Sequence, residues 1–202
     1  CSSDLPDVEV KIGENNEILL RGKTITTGYY KKPEATAAAI DRDGWFHTGD
    51  AGYLKDSHLY LTERIKDLFK TSNGKYISPQ ALETKLAIDR YIDQIAVIAD
   101  ERKFVSALIV PVYGFVKDYA KEKGIAYSNM DELLQHPKIQ ALFRARIDTL
   151  QQQFAHYEQV KRFTLLTEPF SMERGELTNT LKLKRSVVAK NYKGLIDKMY
   201  EE

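Results

Sequence analysis

Two apolar, β-branched runs constrain this chain more than any other feature. They are Gln94-Ile95-Ala96-Val97-Ile98-Ala99-Asp100 and Phe104-Val105-Ser106-Ala107-Leu108-Ile109-Val110-Pro111-Val112. Only the charged link Asp100-Glu101-Arg102-Lys103 lies at their junction, so the two runs form one long β-hairpin. Helical segments flank it. Pro79–Leu86 carries Ser78 as an N-cap and proline in its first turn. A short helix over Phe115–Lys123 stops at Gly124, and Ser128-Asn129-Met130-Asp131 resembles a helix start with an acidic residue at a capping-box position. In the long helix that follows, Ile139, Leu142, Phe143, Ile147, Leu150 and Phe154 recur at three- and four-residue spacing, a core-facing stripe. Phe163–Leu166 reads as a last strand. A polar loop, Glu173 to Thr180, and a basic terminal helix from Ser186 onward complete this half.

The front of the chain has a different rhythm. Val8–Ile12 alternates apolar and charged residues, the two-residue period of a half-buried strand. Gly13–Asn16 turns the chain, Glu17–Arg21 returns, and Gly22 breaks the hairpin. Pro33–Ile40 is a short helix with its proline placed early. Trp45–Asp50 runs into two short strands around Tyr53-Leu54 and Leu59–Leu61. From Glu63 to Lys75 the composition shifts to dense charge, a boundary between domains.

Bulk properties exclude several classes. A length of 202 residues accommodates one ordinary domain or two small ones. The formal net charge of +1 provides no global basic field, so charge implies neither nucleic acid nor an anionic membrane as partner. No apolar run approaches the eighteen or so residues of a membrane span. The single cysteine, Cys1, makes no internal disulfide, which suits a reducing, cytoplasmic setting. The chain opens Cys-Ser-Ser-Asp-Leu-Pro with no initiator methionine or signal peptide, so it reads as a piece of a longer protein.

Three segments carry chemistry. Gly44-Trp45-Phe46-His47-Thr48-Gly49-Asp50 places an aspartate after a glycine; this pair is also a common turn. A single carboxylate accepts hydrogen bonds from two vicinal hydroxyls, as in nucleotide ribose sites. Glu63-Arg64-Ile65-Lys66-Asp67 through Asn73-Gly74-Lys75 reads, alone, as a solvated charged loop. It is no P-loop, because the glycine expected ahead of Gly74-Lys75 is absent and Tyr76 replaces the Ser or Thr. Gly175 through Arg185 is a basic loop whose lysines could swing onto a developing phosphate charge. The histidines, His47, His58, His136 and His156, show no metal-ligand spacing.

In this order the segments resemble the second half of the adenylate-forming superfamily, which includes acyl- and aryl-CoA synthetases, luciferases and peptide-synthetase adenylation domains. The resemblance covers nearly all of residues 6–192. Glu17–Gly22 with Thr27-Gly28-Tyr29-Tyr30 and Pro33-Glu34-Ala35-Thr36 is similar to its first block, and Trp45–Asp50 to its tryptophan–threonine–glycine–aspartate block. The resemblance implies that Asp50 binds the ribose hydroxyls of ATP and that Arg64 approaches the same ribose. It places Lys66 at the hinge, Gly74 on the hairpin used in the thioester-forming state, and Lys182 on the α-phosphate during adenylation. Lys184 and Arg185 compete with Lys182 for that last role. Glu63 stands where Gly or Asp is usual, and Leu181 where many members have Gly. Long-chain acyl-CoA ligases share the Leu181 variant and a helical insert near 128–159.

The implied fold class is α+β. Residues 1–62 would end a β-barrel-like subdomain of a larger ATP- and acyl-binding domain, 63–70 form the hinge, and 71–202 a mobile lid. The implied function is part of an ATP-dependent long-chain fatty acid:CoA ligase, an acid-thiol ligase that adenylates the carboxylate and passes it to CoA. Fatty acid, ATP and CoA would be partners of the complete enzyme, with Mg²⁺ ligands outside this chain. Peripheral membrane association and homodimerisation stay open. Two other readings remain, an isolated non-catalytic lid or partner-binding module, and a ligase for another class of carboxylic acid.

Overall fold

A computed structural model describes residues 7–201, apart from the side chains of Glu63 and Lys66; Cys1 lies outside the described residues. The chain divides into two compact units, Cys1–Leu68 and Phe69–Glu202.

The first unit is an antiparallel sheet of β1 (Val8–Ile12), β2 (Glu17–Gly22), β3 (Phe46–Lys55) and β4 (His58–Arg64), paired in chain order. The short helix α1 (Pro33–Ala39) lies between β2 and β3 in sequence. Gly28 and Thr36 explain the Gly-Tyr and Pro-Glu-x-Thr pattern around it. Thr36 Oγ1 accepts from the Tyr29 amide at 2.9 Å and donates to Lys32 O at 2.9 Å, anchoring the first turn of α1. A Cβ on Gly28 would come within 2.7 Å of Thr36 Cγ2, and Gly28 has φ +147°. Trp45 is a brace. Its amide donates to Asp41 Oδ1 at 2.8 Å, and the Arg21 guanidinium lies 4.5 Å from its ring.

β3 is far longer than the strand expected around Tyr53-Leu54, because Phe46 and His47 pair with Leu20 and Leu19 of β2. Glu17 pairs with Ala51 and Leu19 with His47, so Thr48, Gly49 and Asp50 together oppose Ile18. The Gly49-Asp50 step is therefore a bulge inside a strand and not a turn between strands.

The second unit has three layers. Its central sheet is β7 (Ile92–Ile98), β8 (Val105–Pro111) and β9 (Val160–Leu165), in that order, with β8 antiparallel to β7 and parallel to β9. Alternation along β8 divides the core. Val105, Ala107 and Ile109 join one cluster with Leu82 and Leu86 of α2 (Pro79–Leu86), Val116 and Ala120 of α3 (Tyr113–Glu122), Leu133 and Leu134 of α4 (Met130–Gln135), and the stripe of α5 (Pro137–Leu150). Leu108 and Val110 face the other cluster, with Phe170, Leu177, Val188 of α6 (Arg185–Asn191) and Ile196 of α7 (Lys193–Lys198). A two-residue pair, β5 (Phe69–Lys70) and β6 (Tyr76–Ile77), precedes α2.

Three helical expectations shift. Asn129, not Ser128, caps α4, accepting from the Glu132 amide at 2.9 Å while Glu132 reaches back to the Ser128 amide at 2.7 Å. The long helix is two helices, because His136 is extended (φ −61°, ψ 132°) and Pro137 starts α5. The terminal helix likewise breaks at Tyr192. Ser78 caps α2, its Oγ accepting from Ala81 at 3.3 Å.

Candidate functional site

In the first unit the bulge aims Asp50 at Arg64. The two are cross-strand partners on β3 and β4, and Arg64 Nε lies 3.2 Å from Asp50 Oδ1. They share the rim of an open groove of about 560 Å³, whose wall includes Tyr29, Ala38, Phe46 and Gly49. The bulge is held from inside. Thr48 Oγ1 donates to Ile18 O at 2.7 Å and accepts from the Asp50 amide at 3.1 Å. Gly49 takes φ +70°, a conformation that suits glycine.

Glu17 is the residue that sequence reasoning missed here. It accepts the Gly49 amide on Oε1 at 3.0 Å and pairs through Oε2 with His47 Nδ1 at 2.9 Å. In sequence it is the polar first residue of a strand whose next three positions are apolar. Only the bulge register reveals that its carboxylate sits behind the Thr-Gly-Asp step.

The backbone of Lys66 lies in a single 3-10 turn, Ile65–Asp67, closed by the Leu68 amide on Ile65 O at 3.2 Å. The side chain of Lys66 falls outside the described residues.

In the second unit Gly74 (φ +74°) turns the β5–β6 hairpin, with its amide on Thr71 O at 2.8 Å. The hairpin is tied to the β7–β8 link. Ser72 N donates to Arg102 O at 3.0 Å and Glu101 N to Lys70 O at 2.8 Å.

Lys182 lies on a separate, exposed turn with more internal structure than a polar loop suggests. Leu177 and Leu183 form an isolated bridge, Thr178 N donates to Lys182 O at 2.8 Å, and Leu181 N to Thr178 O at 2.9 Å. Leu181 is left-handed (φ +60°) and largely exposed. Lys182 and Lys184 are exposed, whereas Arg185 is committed to Glu83 through Nη1–Oε1 at 2.5 Å and Nη2–Oε2 at 2.6 Å. Of the three competing cations, Arg185 is thus occupied. The structure brings Asp50 and Arg64 together, and it places Gly74 and Lys182 on separate loops of the second unit.

A buried carboxylate underlies the Lys182 turn and was invisible in the sequence. Glu176 is 1% exposed. It receives Arg174 Nε at 3.1 Å on each oxygen, the Ser171 amide at 3.0 Å and Asn191 Nδ2 at 3.1 Å. Burial works to protonate it, but Arg174, Ser171 and Asn191 together hold its carboxyl below the usual range. Among the described residues no three His, Cys, Asp or Glu side chains gather where a metal ion could be held, and no helix is long and apolar enough to cross a membrane.

A bulged Thr-Gly-Asp strand facing an arginine, followed by a three-layered unit with a lysine-bearing turn, keeps the order of segments by which the chain resembles the adenylate-forming enzymes. A family model described as the AMP-binding enzyme C-terminal domain matches residues 66–202, and the chain belongs to that family. Long chain acyl-CoA synthetase 7, peroxisomal, of Arabidopsis thaliana is 37% identical over 190 residues, covering 92% of this chain and 27% of the relative. Long-chain-fatty-acid–CoA ligase 5 of Rattus norvegicus is 35% identical over 197 residues, covering 94% and 28% respectively. The chain therefore spans less than a third of the length of these relatives. The adenylation domain of a carboxylate reductase from Mycobacterium chelonae superposes with a TM-score of 0.73 at 26% identity, over 98% of this chain and 32% of that one.

Proposed function

We propose that this chain is the carboxyl-terminal segment of an ATP-dependent long-chain fatty acid:CoA ligase. The observation that carries the reading is the Asp50–Arg64 pair, presented by a bulge at an open groove, in a chain of this family with relatives named as long-chain ligases. In the proposed reaction the fatty carboxylate attacks the α-phosphorus of ATP, pyrophosphate leaves, and the thiol of CoA then attacks the acyl-adenylate. Asp50 accepts the ribose hydroxyls, a task for a carboxylate with a free oxygen. Arg64 orients that carboxylate and faces the same sugar. Lys182 places a cation on the α-phosphate as negative charge gathers in the transition state, an effect of roughly 3–4 kcal/mol by analogy with oxyanion donors. Lys66 is the hinge position and Gly74 belongs to the hairpin used for thioester formation. Mg²⁺ is assigned to ligands outside this chain.

The test compares wild type with Lys182→Ala in the intact enzyme. Fatty-acid-dependent ATP–pyrophosphate exchange should fall by about two to three orders of magnitude. Thioester formation from preformed acyl-adenylate should persist. Exchange at the wild-type rate would remove Lys182 from the role and move it to Lys184 or off this loop. Absence of fatty-acid-dependent exchange in the wild type would sink the substrate assignment.

A further inference from the structure

Lys182 stands on an exposed turn whose own hydrogen bonds are local, so its direction depends on what anchors the base of the turn. Three residues later Arg185 opens α6, and its guanidinium meets the Glu83 carboxylate at two points, 2.5 Å and 2.6 Å. The Glu83 side chain is only 12% exposed. Its Oε1 also accepts the amide of Val97, on edge strand β7, at 2.8 Å. One carboxylate therefore ties α2, the central sheet and the foot of the lysine turn. A fourth element joins from the hinge side. Phe69 is the first residue of the second unit and follows the Ile65–Asp67 turn by two positions. Its ring lies 5.5 Å from the Arg185 guanidinium.

We propose that Glu83 and Arg185 are positioning residues for adenylation, fixing the placement of the Lys182 turn and joining it through Phe69 to the strand that leaves the hinge. The inference rests on the reading of Lys182 given above. A fork-to-fork pair fixes rotation as well as distance, which a single point charge does not. A cation that must meet a transferring phosphoryl group tolerates little misplacement, since an error of about 1 Å can cost a hundredfold in rate. The other anchors, the Lys184 amide on Glu176 O at 2.7 Å and Leu183 bridged to buried Leu177, hold the backbone of the turn, and the Arg185 fork adds a fixed rotation where the chain leaves it.

The experiment uses the intact ligase with four forms: wild type, Lys182→Ala, Glu83→Gln and the double variant. Glutamine keeps an oxygen for the Val97 amide but removes the charge that holds the fork. Glu83→Gln should lower kcat of ATP–pyrophosphate exchange by about tenfold or more, leave KM for ATP within about twofold, and leave thioester formation from preformed acyl-adenylate unchanged. The double variant should be no slower in exchange than Lys182→Ala alone, because Glu83 acts through that lysine. Arg185→Lys, which keeps the charge without the fork, should reproduce the selective loss and decides the matter if Glu83→Gln fails to fold. Wild-type exchange in Glu83→Gln, beside a slow Lys182→Ala, would overturn the positioning role and leave the Lys182 reading intact. Equal loss in both half-reactions, or losses that multiply in the double variant, would also overturn it. A fast Lys182→Ala enzyme would instead defeat the reading beneath it.

Discussion

Glu176 is the residue whose chemistry is most exposed to a change of conditions, because a buried carboxylate is stabilising only while its partners keep it ionised. Its carboxyl is held below its ordinary value, so the folded state binds this proton more weakly than the unfolded state does. The resulting stability is fully present above the unfolded carboxylate value and is lost as pH falls through the folded one. Acid titration of unfolding free energy should therefore show a loss beginning near pH 5 and steepening below about pH 4. Glu176→Gln should cost about 2 kcal/mol at neutral pH, since Arg174 loses its buried charged partner and keeps the exposed Glu168. It should also flatten that acid limb, and a limb of unchanged depth would assign it to other carboxylates. Nothing in Gly175-Glu176-Leu177 signals burial, because the segment has no helical or strand period to read. Asp50 is different. Its neighbours in sequence mark it, and the structure adds what alternation could not give, the support of Glu17 from the neighbouring strand.

Among the elements, α5 shows best how a legible pattern meets an illegible contact. Its Ile139, Phe143 and Ile147 are fully buried, as the three- and four-residue spacing implies, while Phe154 of the same stripe lies beyond the helix end. The helix is also latched by Arg146, whose Nε lies 2.8 and 2.7 Å from the two oxygens of Asp89. Asp89 is 8% exposed, so removing its partner strands a charge. Arg146→Ala should destabilise the fold by about 3 kcal/mol. Asp89→Asn added to it should recover most of the loss, because the buried charge disappears while the Tyr91 amide keeps its acceptor. A double variant as unstable as Arg146→Ala would mean that lost packing of Arg146 on the Tyr91 ring, 4.7 Å away, is the dominant effect. The latch spans fifty-seven positions and has no local signature. The parallel partnering of β8 with β9 was hidden for the same reason, since strand pairing depends on what intervening helices cover. The break before α5 is legible in Pro137, although the apolar stripe that follows it suggests one continuous helix.

Across the whole molecule, the two units have unequal cores, and this decides where the chain opens first. Among the described residues of the first unit, the buried apolar side chains are Ile18, Leu19 and Ala51, while Leu54 and Leu61 stand largely exposed on β3 and β4. A sheet with so little apolar area removed from water gains little against the entropy of ordering its backbone. The second unit buries both faces of β8, where Val105, Ala107, Leu108, Ile109 and Val110 are all 0% exposed. Native-state hydrogen exchange on the 202-residue chain should therefore divide by unit. Amides of β1–β4 should exchange through low-energy openings that mild urea promotes. Those of β7 and β8 should exchange only with global unfolding of residues 69–202. Protection in β1–β4 equal to that in β8 would show that the exposed leucines are covered, either by association of the chain or by further contacts within it. Sedimentation at several concentrations would separate the two, because association alone depends on concentration. On the proposed ligase reading, the same strands should become protected at any concentration in the intact enzyme, since the nearly three-quarters of the relatives' length that this chain does not span would supply apolar surface to β3 and β4.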